Sequence, residues 1–182
     1  MKKVLFASAM LIASAGVFSF IPAKKYADTL TVDVAKSKVE WSGSANNRYH
    51  PGVVALKSGT VIMDGEKLTG GKFVFDLTTI KPTDASGERL EGHLKSADFF
   101  DVAKFGEATY EITSVKYTSA TTADVTGNLS AKGTSIPVTL TAKIRGYKDG
   151  KLFAESFFSL DSKALGFEKY GADIAVHLFA NK

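Results

Sequence analysis

The feature that most constrains the fold is a repeated alternation of apolar and polar residues along short segments. In SIPVTLTAKIRGY (residues 135–147), Ile136, Val138 and Leu140 fall on one side of an extended chain, and Thr139 and Thr141 fall on the other. The same kind of pattern occurs in SKVEWSGS, GVVALKSGTVIMD, KFVFDLTTI, ATYEITSVKY, ADVTGNLSA, KLFAESFFSLDS and ADIAVHLFA. A set of about eight short strands separated by turns is typical of an antiparallel barrel or sandwich.

Turn signals separate these segments. Asp64-Gly65 and Asp149-Gly150 each lie between two patterned runs. Such pairs favour a type I′ hairpin turn, which needs a positive φ at both residues. The glycine pair at 70–71 interrupts a strand and predicts a bulge or bend. Pro137 has no N–H to donate, so we expect it at an edge or at the start of its strand.

Two of the segments are apolar on both sides. In KLFAESFFSL, one face of the strand is apolar and the other face carries Phe153 and Phe157. In ADIAVHLFA, the second face carries Ala175 and Phe179. Strands of this kind are normally covered on both faces. Two interpretations follow: a helix or loop packs outside, or the barrel has more apolar inner surface than its own core needs.

Composition narrows the class of protein. The chain has 182 residues, enough for one domain with a sizeable core, and we find no repeat of fixed period. It contains no cysteine, which excludes a disulfide framework and a thiolate metal site. Its net charge is only +4 and it has no long basic run, so we do not expect a nucleic-acid partner.

The first residues resemble an export signal. Lys2 and Lys3 precede an uncharged run over residues 4–21, and small residues mark two cleavage points, after Ala15 or after Ala23. The alternative is an N-terminal membrane anchor. We favour a signal peptide over residues 1–23, and hence a periplasmic or secreted protein with no stable membrane insertion after cleavage.

The sequence contains few residues in arrangements that suit catalysis. The three histidines, His50, His93 and His177, fall in separate segments without metal-ligand spacing. One short stretch contains four carboxylates, Glu88, Glu91, Asp98 and Asp101. They alternate with lysines, which is typical of a solvated helix face. We therefore expect no catalytic residue, no metal and no cofactor.

Residues 87–112 depart from the strand pattern. Leu90 and Leu94 are four residues apart, as on one face of a helix, with Ser86 as a candidate N-cap. Ser96 is a candidate cap for a second short turn, which carries Phe99 and Phe100. An amphipathic segment of this kind is suited to plugging the open end of a barrel.

The same segment carries a resemblance to a known family. EGHLKSADFFDVAKFGEATYEI (residues 91–112) resembles the signature of the YceI-like family of bacterial, lipocalin-like polyisoprenoid-binding proteins, in which H-L-K/R-S-x-D-F-F is followed by K-F/Y-P and A-T-F/Y. VTGNLSAKGTSIPVTLTAKI (residues 125–144) is similar to a second family stretch, and the resemblance covers roughly residues 30–182. Gly106 stands where the family usually has proline.

The resemblance implies an eight-stranded antiparallel, lipocalin-like barrel with a short helical plug, formed by residues 24–182 and enclosing an apolar cavity. The implied partner is an isoprenoid or similar amphipathic lipid, bound as a ligand. Trp41 is in phase with Val39 and is expected to face this cavity. The full set of candidate lining residues is Trp41, Phe73, Phe75, Phe99, Phe100, Phe105, Tyr110, Ile112, Val138, Leu140, Phe158 and Leu160.

Three functions stay open at this point. The leading hypothesis is an exported binding or carrier protein for the lipid. The first alternative is an enzyme or electron-transfer partner that uses a quinone-type lipid in the same cavity. The second alternative is a barrel that acts by protein contact in stress protection or adhesion. The sequence identifies neither the lipid nor the oligomeric state, and a homodimer is among the options.

Overall fold

The computed structural model describes residues 27–45, 48–167 and 170–182. The predicted signal peptide lies outside these residues and stays a prediction. The described elements are β1 (Asp28–Val32), β2 (Lys38–Ala45), β3 (Arg48–Asp64), β4 (Lys67–Pro82), α1 (Gly87–Lys95), β5 (Glu107–Tyr117), β6 (Thr122–Ala131), β7 (Thr134–Lys148), β8 (Lys151–Leu160), a 3₁₀ helix (Ser162–Leu165) and β9 (Gly171–Asn181). Within the described ranges, no helix has the length and apolar character needed to cross a bilayer.

Strands β2 to β9 close into an eight-stranded antiparallel barrel. Each strand pairs with the next along the chain, and β9 returns to pair with β2, for example Val39 with Val176. This confirms the predicted fold class. Each of the eight predicted segments lies in one of these strands, except for Ser37 before β2 and residues 161–162 after β8. Closure leaves no free sheet edge around the barrel, which removes the hazard of edge-to-edge aggregation.

The short strand β1 is not among the predicted segments. It pairs with the end of β3, Asp28 opposite Met63, and with the end of β9, Val32 opposite Ala180. β1 and β2 therefore lie one after the other in the same position between β3 and β9. The buried Leu30 and Val32 add to the core at the end of the barrel that lies opposite α1.

The turns confirm one of the two predicted aspartate-glycine geometries. Asp149 and Gly150 both have positive φ, 52° and 71°, as a type I′ turn requires. At the other turn the register pairs Asp64 with Lys67, so Gly65 and residue 66 form the loop. Only Gly65 of these has a positive φ, 60°, and the type I′ prediction is wrong there. Asp64 is the last paired residue of its strand and keeps an extended conformation.

Two further local predictions concern β4 and β7. The register passes from Met63↔Leu68 to Ile62↔Gly70, which confirms a bulge next to the glycine pair at 70–71. Pro137 pairs with Asn128 of β6, and the pairs between β7 and β8 begin only at residue 142. Pro137 therefore lies in a stretch of β7 whose other side has no β8 partner, as a residue without an N–H requires.

The prediction that β8 and β9 are covered on both faces is wrong. Phe157 is 70% exposed on the outside of the barrel. Phe153 and Phe179 are half-buried because their rings stack on each other across the strand pair, with centroids 4.6 Å apart. Cross-strand stacking thus shields these two rings in the absence of a covering helix.

Helix α1 lies at one end of the barrel, where it packs on β4. Leu94 is buried and Leu90 is half-buried, as the i, i+4 spacing predicts. Ser86 occupies the predicted N-cap position but does not cap the helix with its side chain: it has helical φ and ψ, and its hydroxyl donates to Asp84 and accepts from no helix N–H. Asp84 also accepts from the Ser86 N–H (3.0 Å), so the aspartate organises the entry to the helix.

The segment after α1 turns back toward the barrel. The carbonyl of Ser96 accepts from the N–H groups of Phe99 (3.0 Å) and Asp101 (2.8 Å), while the Ser96 hydroxyl donates to the carbonyl of His93. Ser96 therefore closes this turn mainly through its backbone and does not cap it with its side chain. Phe99 is buried and Phe100 is half-buried, which gives the plug its apolar inner side.

Candidate ligand-binding cavity

A cavity of about 240 Å³ lies inside the barrel beneath α1, and we call it the helix-end chamber. Its wall combines inward residues of the strands with Leu90 and Leu94 of the helix. A barrel of eight strands is normally just filled by its side chains. Here small residues at inward positions leave space open, namely Gly43, Ala108, Ala131, Gly171 and Ala172. The chamber is therefore a consequence of side-chain size as well as of strand number.

A cluster of aromatic rings closes the chamber. Phe99 stacks on Phe167, with centroids 4.1 Å apart and the planes within 6°. Phe100 meets both rings edge-on, at 4.8 Å from Phe99 and 5.4 Å from Phe167. The plug therefore consists of two chain segments, the turn after α1 and the segment from the 3₁₀ helix to Phe167. The second segment was not predicted from the sequence, although Leu165 and Phe167 form a short apolar pair after the β8 pattern.

A second cavity of about 120 Å³, the deep chamber, lies further along the barrel. All eight barrel strands, β2 to β9, contribute to its wall, and α1 does not. The lining is mainly apolar and includes Leu56, Val61, Phe73, Ile112, Val138, Leu140, Leu152 and Leu178. Five side chains line both chambers and so form a ring between them: Val39, Phe75, Leu129, Phe158 and Ile174. We refer to the two chambers, together with the ring of side chains that they share, as the tunnel.

Trp41 lines the helix-end chamber in an orientation set by its neighbours. Its Nε1 donates to the carbonyl of Val53 (3.1 Å). The six-membered part of the indole lies against Gly52, where a methyl group would overlap the ring and approach the carbonyl of Lys81 to 2.5 Å. The glycine is therefore needed for the ring to lie against the strand, and the indole presents its remaining surface to the chamber.

Tyr110 plays a related part in the deep chamber. Its ring lies over Gly127, where an added Cβ would come within 2.6 Å of Cζ. Its hydroxyl is 3.1 Å from the carbonyl oxygens of Val125 and Val138 and donates to one of them at a time. Burial raises the pKa of Tyr110 to about 12. Because the hydroxyl is satisfied by backbone, Tyr110 offers the chamber only the apolar part of its ring.

The helix-end chamber also has polar side chains in its wall, namely Ser44, His50, His93, Ser162 and Tyr170. His50 Nδ1 lies 2.8 Å from Asp84 Oδ2. Hydrogen bonds from Ser86 and from His50 lower the pKa of Asp84 to about 2. Asp84 is therefore ionised at neutral pH and can only accept, which makes His50 Nδ1 the donor.

Charged side chains are scarce in the tunnel. Among the residues that the structure describes, no lysine or arginine lines either chamber. Glu155 borders the deep chamber, but its carboxylate pairs with Arg145 (2.5 Å) and His177 (3.4 Å). In the same described part of the chain, no three histidine or acidic side chains gather closely enough to hold a metal ion. The expectation that the protein needs no metal stays a prediction.

The structure brings together eleven of the twelve candidate lining residues. Trp41, Phe99, Phe100 and Leu160 line the helix-end chamber; Phe73, Tyr110, Ile112, Val138 and Leu140 line the deep chamber; Phe75 and Phe158 lie in the ring. The prediction for Phe105 is wrong, since it lines neither chamber. Its ring lies beside Gly133 in the β6–β7 turn and under the amine of Lys104. Contact of any of these residues with a ligand stays a prediction.

Comparison with known sequences gives one family match. The family described as "YceI-like domain" matches residues 30–180. Similar relatives include a "UPF0312 protein" of Ectopseudomonas mendocina, 39% identical over 87 residues (42% of this chain and 46% of the relative), and "Protein YceI" of Salmonella arizonae, 38% identical over 91 residues (50% of this chain and 47% of the relative). The matched segment thus spans about half the length of these curated relatives.

Solved structures share the fold at low sequence identity. BcnA of Burkholderia cenocepacia superposes with a TM-score of 0.68 at 21% identity, over 81% of this chain and 98% of that chain. A polyisoprenoid binding domain from Saccharophagus degradans, implicated in plant cell wall breakdown, superposes with a TM-score of 0.64 at 10% identity, over 84% of this chain and 97% of that chain. At these identities the similarity establishes the barrel architecture alone.

Proposed function

The chain belongs to the family of proteins with a YceI-like domain, and from that premise we propose that it is an exported protein that binds and carries an isoprenoid or similar amphipathic lipid inside its barrel. The observation that carries the proposal is the tunnel of two chambers joined by an apolar ring. The polyisoprenoid binding domain of Saccharophagus degradans, which has the same fold, supports this choice of ligand.

The shape and chemistry of the tunnel favour a long apolar chain over a compact ligand. A chain can pass the ring of Val39, Phe75, Leu129, Phe158 and Ile174 and contact both chambers at once. Each buried methylene contributes about 0.8 kcal/mol, so about ten would contribute roughly 8 kcal/mol before the costs of binding. Micromolar affinity corresponds to about 8 kcal/mol net of those costs, so the ligand must bury more than about ten methylenes or gain a polar contact.

Export is the second part of the proposal, and it rests on the predicted signal peptide over residues 1–23. A carrier outside the cytoplasm would protect the apolar chain of its ligand from water between membranes. N-terminal sequencing of the periplasmic or secreted fraction should give an end just after Ala15 or Ala23. An intact Met1 in washed membranes would contradict this part.

The direct test is to identify what the purified protein carries. Extraction with organic solvent followed by mass spectrometry should release an isoprenoid lipid in a fixed ratio to protein. A quinone in the extract would favour the electron-transfer alternative of the sequence analysis. Protein that carries no lipid, and that also fails to bind added isoprenoids of any length, would refute the proposal.

A matched pair of variants in β9 tests the tunnel itself. Ile174 belongs to the ring, and the adjacent Ala175 faces outward. Ile174→Phe should narrow the ring and weaken binding of chains long enough to reach the deep chamber, while shorter chains keep their affinity. Ala175→Phe adds the same side chain on the outside of the barrel and should change the affinity neither for long chains nor for short ones. Equal effects of the two variants would argue against passage of the ligand through the ring.

A further inference from the structure

The polar groups of the tunnel differ between its two chambers in whether the protein satisfies them. In the deep chamber, the Tyr110 hydroxyl and the Ser156 hydroxyl bind backbone carbonyls, and Glu155 is ion-paired. In the helix-end chamber, the Ser162 hydroxyl binds the carbonyls of its own loop. Ser44, His93 and Tyr170 also line this chamber. Among the described lining residues, His50 alone has one ring nitrogen held by a carboxylate and the other without a partner.

The orientation of His50 is set by a chain of hydrogen bonds. The Ser86 hydroxyl and N–H hold Asp84 through Oδ1, which leaves Oδ2 for His50 Nδ1. A carboxylate partner fixes the tautomer of a histidine, since the proton must sit on the nitrogen that faces it. In the neutral ring, Nε2 is then an acceptor with its lone pair available. The ring lines the chamber and its side chain is 34% exposed, so a ligand can reach this nitrogen.

We propose that His50 is the head-group subsite of the tunnel, where Nε2 accepts a hydrogen bond from the hydroxyl of an uncharged isoprenoid alcohol whose chain extends through the ring into the deep chamber. This inference rests on the proposed function and adds to it the chemistry of the head group and the direction of the ligand. The head lies at the helix end, and the apolar tail lies at the opposite end.

The electrostatics of the subsite select against an anionic head. A phosphate taken out of water needs cationic or N–H donors in compensation, and no lysine or arginine of the described chain lines the tunnel. The ionised Asp84 carboxylate lies directly behind His50 and repels an anion there. A hydroxyl donor meets neither obstacle, because it carries no charge and the free acceptor complements it.

The test compares three probes that share one C20 isoprenoid chain: the alcohol, its methyl ether and its monophosphate. Binding is measured on the purified protein by Trp41 fluorescence and by calorimetry at pH 8. The ether keeps the chain and the oxygen but cannot donate. We expect the alcohol to bind about three- to tenfold more tightly than the ether, the range for one neutral hydrogen bond, and the phosphate to bind more weakly than the alcohol.

Two variants and a neighbouring control locate the effect. His50→Phe keeps an aromatic ring in the wall and should abolish the preference for the alcohol while the affinity for the ether is retained. Asp84→Asn should reduce the preference, because an amide no longer dictates the tautomer of His50. The control is Tyr49→Phe, a change at an exposed residue next to His50, which should leave the preference intact.

The outcomes separate the subsite from the broader function. Equal binding of alcohol and ether, tighter binding of the phosphate, or a preference that persists in His50→Phe would each overturn the subsite while isoprenoid binding stands. Failure of the unchanged protein to bind any of the three probes would overturn the subsite, and it would overturn the proposed function as well if the protein also carries no lipid and binds no isoprenoid of another length.

Discussion

Phe99 should hold the plug on the barrel, and its replacement by alanine is the sharpest test of the architecture. The ring is 8% exposed and stacks on Phe167 at 4.1 Å, and it also meets Phe100 and Tyr170 edge-on. The sequence pattern did not distinguish Phe99 from Phe100 as the more buried of the two rings. The structure makes Phe99 the central ring, since it contacts both chain segments of the plug.

The magnitude follows from burial. A phenylalanine buries about 200 Å², worth roughly 5 kcal/mol at about 25 cal/mol per Å² as an upper bound. Measured losses for Phe→Ala in cores are about 3–5 kcal/mol. Part of the Phe99 ring faces the helix-end chamber instead of packed side chains. We therefore expect Phe99→Ala to lower the free energy of unfolding by about 3 kcal/mol, the lower end of that range.

Urea denaturation followed by circular dichroism measures this loss as a shift of the midpoint at constant slope. Phe157→Ala is the matched control, because Phe157 is 70% exposed on the outside of β8 and should change stability by no more than about 0.5 kcal/mol. A loss below about 1 kcal/mol for Phe99→Ala would mean that the plug is not coupled to the folding of the barrel. Equal losses for the two variants would refute the assigned burial.

Three further predictions follow from the contacts in the cavity wall. Gly52→Ala should displace the Trp41 ring and lower stability by about 1–3 kcal/mol through overpacking, with a change in intrinsic emission; an unchanged emission spectrum would contradict the close approach. The Asp84 carboxyl should titrate near pH 2 by carbon-detected NMR, and Ser86→Ala should raise its pKa. Because folding lowers this pKa, the ionised Asp84 carboxylate contributes to stability above the unfolded pKa of 3.8, and the contribution is lost as the pH falls toward 2. Folding raises the pKa of Tyr110, so the contribution of its neutral hydroxyl to stability is complete below the unfolded value of 10.0 and is lost as the pH rises toward 12. Tyr110→Phe should remove this part of the alkaline dependence of stability. Denaturation at pH 9 and 11.5, together with tyrosinate absorbance, measures it.

The location of the strands and their inward faces could be predicted from the sequence. Alternation with period two depends only on the geometry of an extended chain, so Ile136, Val138 and Leu140 point inward whatever the neighbouring strands are. The Asp149-Gly150 turn was predictable for the same reason, since its two positive φ values are a local property. The family signature extended this local information to the closed barrel.

The contents of the barrel were decided only by the tertiary structure. His50 and Asp84 lie 34 residues apart and meet at 2.8 Å because β3 and the entry to α1 converge at one end of the barrel. Phe167 stacks on Phe99 for a similar reason, whereas Phe105 packs beside the β6–β7 turn and lines neither chamber. Alternation states which side chains face inward but not whether they fill the space between them. That depends on strand register, on small residues at opposing positions and on which loops close the end, all of which are set by contacts between distant parts of the chain.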